Sequence, residues 1–280
     1  FKELRKKLEN LGHKFFTNHS DTEVLIHGYK EWKSNLPEHL NGMWAFAIYD
    51  KKRSQIFLSR DRFGEKPLFY YFKNNIFVFA SELSGITNFK NLDLKINNAN
   101  LKKYCAYGFF PFHLTPYKNI YKLQAGHNLI LNVPSMNLSN HKYWDYKIEP
   151  DFKVKESEWC EQIYTLLDKS VKERLVADVP VGIFLSGGLD SSIISLLSKK
   201  NSSEKINTYS IKFGESSFDE TKYAKYVSEK IDSIHHHQTI NSDNMQNVWD
   251  EFFSKIDEPI SDSSLLSYFL LCKFSKKKIK

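Results

Sequence analysis

Val181-Gly182-Ile183-Phe184-Leu185 is a short apolar run that leads directly into Ser186-Gly187-Gly188-Leu189-Asp190-Ser191-Ser192, and a helical pattern follows through Lys199. A buried strand, a glycine loop and a helix in that order restrict the fold more than any other feature of the chain. Two adjacent glycines permit positive φ and close approach of the backbone to a ligand. The start of the following helix leaves N–H groups without intrahelical acceptors and carries a partial positive charge. The hydroxyls of Ser186, Ser191 and Ser192 add donors. Together these make a pocket for phosphate oxygens. The loop is not of the Walker type, because the G-x-x-x-x-G-K-[ST] spacing and its lysine are missing. Asp190 is the candidate ligand for Mg²⁺, which is held by a few carboxylates together with substrate phosphates. The plainer alternative is a strand, turn and helix capped by serine. The full seven-residue string behind a buried strand favours phosphate binding.

The elements around the loop predict an α/β region. Helices are expected over Ser157–Arg174, Asp219–Lys230, Asp243–Lys255 and Ser264–Lys276, and strands over Lys205–Phe213 and Ile234–Ile240. Such alternation implies a parallel sheet with helices on its faces. The preceding half reads differently. A helix opens the chain at Phe1–Leu8, and Ser20-Asp21-Thr22-Glu23 has capping-box spacing before a second helix. Short aromatic runs at Gly42–Tyr49, Gln55–Ser59, Leu68–Phe72 and Ile76–Ala80, with brief polar spacers, predict antiparallel hairpins. A further strand pair is expected at Asn119–Leu123 and Asn128–Leu131, and the polar, proline-bearing stretch after Val133 reads as a linker. The fold class is therefore α+β followed by α/β. The expected domains are 1–133, a linker over 134–151, and 152–280.

The string Ser-Gly-Gly-Leu-Asp-Ser-Ser resembles the pyrophosphate loop of ATP pyrophosphatases. The approach Arg174-Leu175-Val176-Ala177-Asp178-Val179-Pro180 is similar to the asparagine synthetase branch, as are Phe218-Asp219-Glu220, His235-His236 and Asp257-Glu258-Pro259. In the first half, Leu40–Asp50, Ser59–Leu68, Phe79–Glu82 and Tyr143-Trp144-Asp145 resemble the glutaminase domain of the same family. The resemblance runs in order over nearly the whole chain. It implies an incomplete antiparallel layered glutaminase-type domain followed by an incomplete parallel-sheet ATP pyrophosphatase domain. It also implies ATP-dependent synthesis of L-asparagine from L-aspartate through an aspartyl-adenylate, with ammonia released from L-glutamine. ATP and Mg²⁺ are the implied cofactors. Leu185, Ser186, Gly187, Gly188, Asp190, Ser191, Ser192 and Ile211 match ATP-binding positions, and Asp21 matches the aspartate that holds the glutamine amino group. Asp257 and Glu258 are candidates for the substrate or Mg²⁺ site, against the alternative of a solvated loop broken by Pro259.

The family's nucleophilic amino-terminal cysteine has no counterpart, because no cysteine precedes Cys105, which reads as a small buried helix residue. No catalytic residue is therefore assigned within the chain. Its second glycine-rich acidic loop has no counterpart either. The expectation is a fragment missing both ends and unable alone to hydrolyse glutamine or make asparagine.

The remaining composition removes other classes. Three cysteines without CxxC spacing fit neither a disulfide framework nor a zinc site, which makes a reducing cytoplasmic setting the expectation. Mean hydropathy is -0.48 and no apolar run approaches the roughly 18 residues of a membrane span. A net charge of +7 raises nucleic-acid binding, but the lysines are scattered apart from Lys276-Lys277-Lys278, so neither a nucleic acid nor a membrane is expected as partner. A homodimer is among the assemblies the resemblance allows. His235-His236-His237 on a strand would place His235 and His237 on one face, and a strand-end position facing the nucleotide is preferred to zinc. Arg60, Asp61 and Arg62 read as a structural ion network, and Tyr70-Tyr71-Phe72 as core on one face. Three rivals stand beside the main reading. One is an amidotransferase for another carboxylate, such as a surface-sugar or metabolite precursor. The second is a tRNA-adenylating modifier, which the glutaminase-like half opposes. The third is an ATP- or RNA-binding module without amidation activity.

Overall fold

A computed structural model describes residues 1–213, 221–240 and 245–279. They divide into two compact units, one of residues 1–148 with 257–261, the other of residues 149–256 with 262–280.

The first unit begins with α1 (Lys2–Asn10) and α2 (Asp21–Trp32), followed by a 3-10 turn over Lys33–His39. Two antiparallel sheets follow. One has the order β1 (Ala45–Asp50), β2 (Gln55–Arg60), β6 (His127–Asn132), β7 (Asn137–Lys142). The other has the order β4 (Ile76–Ala80), β3 (Phe69–Lys73), β5 (Ile120–Lys122). Two helices, α3 (Leu83–Thr87) and α4 (Asn98–Tyr107), lie between β4 and β5 in the chain.

Period-two alternation distributes the strand side chains over three apolar layers. On β2, Phe57 joins Tyr29 and Leu36 of the helical side, whereas Leu58 joins Leu68, Leu123 and Leu129. On β3, Tyr70 faces that middle layer, while Phe69 and Tyr71 face Leu83 and Ile86 of α3. The result is helix, sheet, sheet, helix. The expectation that Tyr70-Tyr71-Phe72 packs on one face is corrected: β3 is covered on both sides. Burial pushes the Tyr70 phenol up to about 12, which keeps it neutral between the sheets.

Three further expectations are corrected here. The supposed linker contains β7, which pairs with β6 from His127↔Lys142 to Asn132↔Asn137. It is an edge strand, so Asn137, Ser139 and Asn140 can face water and no apolar alternation is required. The segments around Ile120 and Asn128 are strands but not a pair. β5 joins β3 and β6 joins β2, so the connection through Gly126 crosses between sheets. Gly126 has φ +68, and a Cβ there would sit 2.6 Å from the Trp144 carbonyl oxygen, which explains a glycine at this crossing. Finally, Cys105 on α4 is exposed, as are Cys160 and Cys272.

The second unit holds α5 (Glu156–Arg174), β8 (Gly182–Phe184), α6 (Leu189–Asn201), β9 (Asn207–Phe213), α7 (Thr221–Lys230), β10 (Ile234–Ile240), α8 (Met245–Lys255) and α9 (Ser264–Ser275). Its sheet is parallel, in the order β10-β9-β8, as the alternation predicts. Ile183, Ile206 and Ile231 with Val227 of α7 make its described core. The motif Phe218-Asp219-Glu220 lies outside the described residues. Among the described residues no helix is long and apolar enough to cross a membrane.

Candidate functional site

The glycine loop sits at the C-terminal end of β8. Leu185 is 1% exposed and its N–H donates to the Tyr209 carbonyl of β9, so the strand is anchored up to the residue where the loop begins. Gly187 has φ +93, a conformation that L side chains rarely adopt. Gly188 is the N-cap of α6 and accepts the first helical bond, from the Ser192 N–H at 3.1 Å. The serines hold this turn closed from inside. The Gly188 N–H donates to Ser186 Oγ at 3.2 Å, Ser186 Oγ lies 3.0 Å from Ser191 Oγ, and Ser192 Oγ donates to the Gly188 carbonyl at 2.7 Å. Leu189 and Asp190 are exposed at the first turn, and the N–H groups of that turn have no intrahelical acceptors. The arrangement can receive an anion: oriented N–H groups, hydroxyls able to rotate toward it, and the positive end of α6. Asp190 carries a solvent-facing carboxylate beside those donors. Of these groups only the Asp190 carboxylate could hold a divalent cation, which would offset phosphate charge there. Ile211, half-buried on β9 and paired with Gln238, is the remaining predicted contact of the nucleotide site.

The three histidines follow Ile234 at the beginning of β10. His235 pairs with Thr208, which pairs with Ile183, three residues before Ser186, so His235 lies toward the strand starts. Both its ring nitrogens face hydroxyls, Nδ1 to Thr208 Oγ1 at 2.9 Å and Nε2 to Ser210 Oγ at 3.1 Å. His236 stacks on buried Tyr209 on the other face. The predicted face-sharing of His235 and His237 is present, with rings stacked 6.2 Å apart.

In the first unit Asp21 opens α2. Ser20 caps the helix, its Oγ accepting from the Glu23 N–H at 3.2 Å. Asp21 is exposed, and its Oδ1 accepts from the Thr22 N–H at 2.7 Å. The Glu23 side chain does not return to Ser20 as a full capping box would. It accepts instead from Phe16 N–H (2.6 Å), Thr17 N–H (2.9 Å) and Thr17 Oγ1 (2.5 Å). These bonds hold the Glu23 carboxyl down at about 2. The folded value lies below the ordinary 4.5, so this contribution to stability is fully present above about pH 4.5 and is lost as pH falls toward 2. Glu23→Gln is expected to leave less acid-induced loss over that window, read by melting temperature at pH 7 and pH 3.

Arg60, Asp61 and Arg62 form no ion network with one another. Asp61 is fully buried, and its carboxylate collects the N–H groups of Trp44, Phe63, Glu65 and Lys66 at 2.9–3.3 Å. Arg60 donates to the carbonyls of Gly64, Lys66 and Leu123, and Arg62 to those of Pro37 and Leu40. The side chains thus tie backbone to backbone around the turn after β2. Asp257 and Glu258 belong with the first unit. The Asp257 carboxylate accepts from the Ser84 N–H at 2.9 Å, and Glu258 pairs with Lys122 at 2.8 Å. Burial pushes the Glu258 carboxyl up, partly offset by Lys122. No local sequence pattern signals this docking.

Residues 1–144 match the family model described as a glutamine amidotransferase domain, and residues 162–280 match the one described as asparagine synthase. The chain belongs to the glutamine-hydrolysing asparagine synthetase family. A putative asparagine synthetase [glutamine-hydrolyzing] 2 of Methanocaldococcus jannaschii is 38% identical over 263 residues, covering 92% of this chain and 50% of that protein. Asparagine synthetase [glutamine-hydrolyzing] 3 of Bacillus subtilis is 32% identical over 296 residues, covering 98% and 47%. The chain thus spans about half the length of the curated relatives it matches. A solved glutamine phosphoribosylpyrophosphate amidotransferase from B. subtilis overlaps 93% of the chain and 49% of its own at 15% identity and a TM-score of 0.35, too slight a likeness to bear on the fold.

Proposed function

We propose that the protein carrying this chain makes L-asparagine from L-aspartate, using ATP and ammonia released from L-glutamine. The observation that carries the reading is the glycine loop, with Gly187 at φ +93 and Gly188 capping α6, in a chain whose first half matches a glutamine amidotransferase domain. The chemistry is coherent. A carboxylate is a poor acyl donor because its oxygen leaves badly. Attack of the aspartate side-chain carboxylate on the α-phosphorus of ATP expels pyrophosphate and gives an aspartyl-adenylate. Ammonia then attacks the acyl carbon, and AMP departs with the C–O electron pair. In this reading the first-turn N–H groups of α6 and the hydroxyls of Ser186, Ser191 and Ser192 hold the pyrophosphate oxygens as charge develops there. Asp190 would hold Mg²⁺, which when bound neutralises phosphate charge. Leu185 offers its main chain and Ile211 its side chain to the adenosine. Asp21, exposed at the start of α2, pairs with the ammonium group of glutamine. Asp257 and Glu258 receive a structural role, because their described partners are Ser84 and Lys122.

The test uses glutamine labelled with ¹⁵N in its side-chain amide. The expected result is label in the asparagine side chain, with AMP and pyrophosphate formed in equal amounts, and only when aspartate is present. Hydrolysis of ATP to ADP, or amidation of a different carboxylate in preference to aspartate, would overturn the reading.

A further inference from the structure

Glu23, His27 and Glu31 lie at four-residue spacing on one face of α2, and His13 reaches that face from the loop after α1. His13 Nε2 is 3.0 Å from Glu31 Oε2, His13 Nδ1 is 3.0 Å from His27 Nδ1, and His27 Nε2 is 3.6 Å from Glu23 Oε1. Glu23 in turn fixes the main chain of Phe16 and Thr17, and Thr17 Oγ1 accepts from the Ser20 N–H at 3.3 Å, one residue before Asp21.

The protons in this chain can be counted. An ionised carboxylate only accepts, so His13 Nε2 and His27 Nε2 must each carry a hydrogen, and the Nδ1–Nδ1 contact needs one more. Two neutral imidazoles supply two hydrogens for three contacts. One extra proton completes the chain. Without it one contact is lost, and the 3.6 Å His27–Glu23 contact is the longest of the three. The other charged groups facing His27 are Lys30 on its own helix and, across the Phe15 ring, Arg5 of α1 with its partner Glu9. Burial, Lys30 and His13 pull the His27 imidazole down, which moves its protonation to the acid side of its ordinary range.

We infer that Glu31, His13, His27 and Glu23 form a proton-sharing chain that positions the Phe16–Ser20 loop, and through it the Asp21 end of α2, according to pH. The part concerning Asp21 rests on the glutamine-binding reading above. Glu23 and His27 are positioning residues here, because they act through the loop. The experiment is an NMR titration of this chain from pH 8 to pH 5, following the imidazole nitrogens of His13 and His27 and the amides of Phe16 and Thr17. One shared protonation is expected, with both amides moving at its midpoint. In His13→Asn the amide movement should disappear, and in Glu31→Gln its midpoint should fall. Glu31 is surface-exposed, so this second variant keeps the test open if His13→Asn fails to fold. Independent titration of the two imidazoles with static amides would overturn the proposal. If the amides titrate as expected but Asp21→Ala leaves glutamine affinity unchanged, the glutamine assignment fails and the proton-sharing chain stands.

Discussion

Replacing Gly187 with valine is expected to weaken Mg-ATP binding about 5- to 150-fold, because holding a non-glycine residue at a strained φ costs roughly 1–3 kcal/mol. Gly187 sits at φ +93 between Ser186 and the N-cap Gly188. A β-branched residue cannot hold that backbone, so the turn would relax. The Gly188 N–H would leave Ser186 Oγ, and the first-turn donors of α6 would lose their aim. Gly188→Ala is the matched control. Its φ is -68, and an added Cβ would sit 3.4 Å from Ser186 Oγ, an ordinary contact. A small effect there beside a large one at Gly187 identifies backbone geometry as the cause. Equal affinity in wild type and Gly187→Val would show that ATP does not use this turn.

Asp61→Ala should destabilise the first unit by about 3–5 kcal/mol, the scale for stranding buried polar partners of a removed charge. Four backbone N–H groups converge on this fully buried carboxylate, from Trp44 on one side of β1 and from Phe63, Glu65 and Lys66 in the turn after β2. The Asp61 main chain adds bonds to Trp44 and Gly126, so the turn also fixes the crossing between sheets. Asp61→Asn keeps one acceptor oxygen but turns an NH₂ toward N–H donors, so an intermediate loss is expected. Chemical denaturation measures both. A change below about 1 kcal/mol for Asp61→Ala would mean that water replaces the carboxylate without cost.

How much of this was legible in sequence depended on whether a feature was local. Ile234–Ile240 and the strand-loop-helix at Val181–Lys199 carried their own periodicity and glycine signals, and the structure has them there. Strand β7 carried none, because an edge strand of Asn137, Ser139, Asn140 and His141 looks like loop to any apolar pattern. The β5 and β6 segments were visible as strands, but their partners were not, since sheet membership is decided by β2 and β3 far away in the chain. Arg60, Asp61 and Arg62 read as an ion network from their adjacency in the sequence. Successive side chains of an extended chain point apart, and each found main-chain partners instead. The spacing of Glu23, His27 and Glu31 was readable on a helical face, yet nothing local announced that His13 would join it. The docking of Asp257 and Glu258 on Ser84 and Lys122 likewise had no local signal.

In the proposed function the Ser186–Ser192 loop binds the nucleotide. Calorimetric titration of this chain and of Asp190→Ala with ATP, with and without Mg²⁺, decides whether it does. The prediction is Mg²⁺-dependent binding in wild type, and in Asp190→Ala a much weaker affinity that no longer responds to Mg²⁺. The same affinity and the same Mg²⁺ response in both proteins would contradict it.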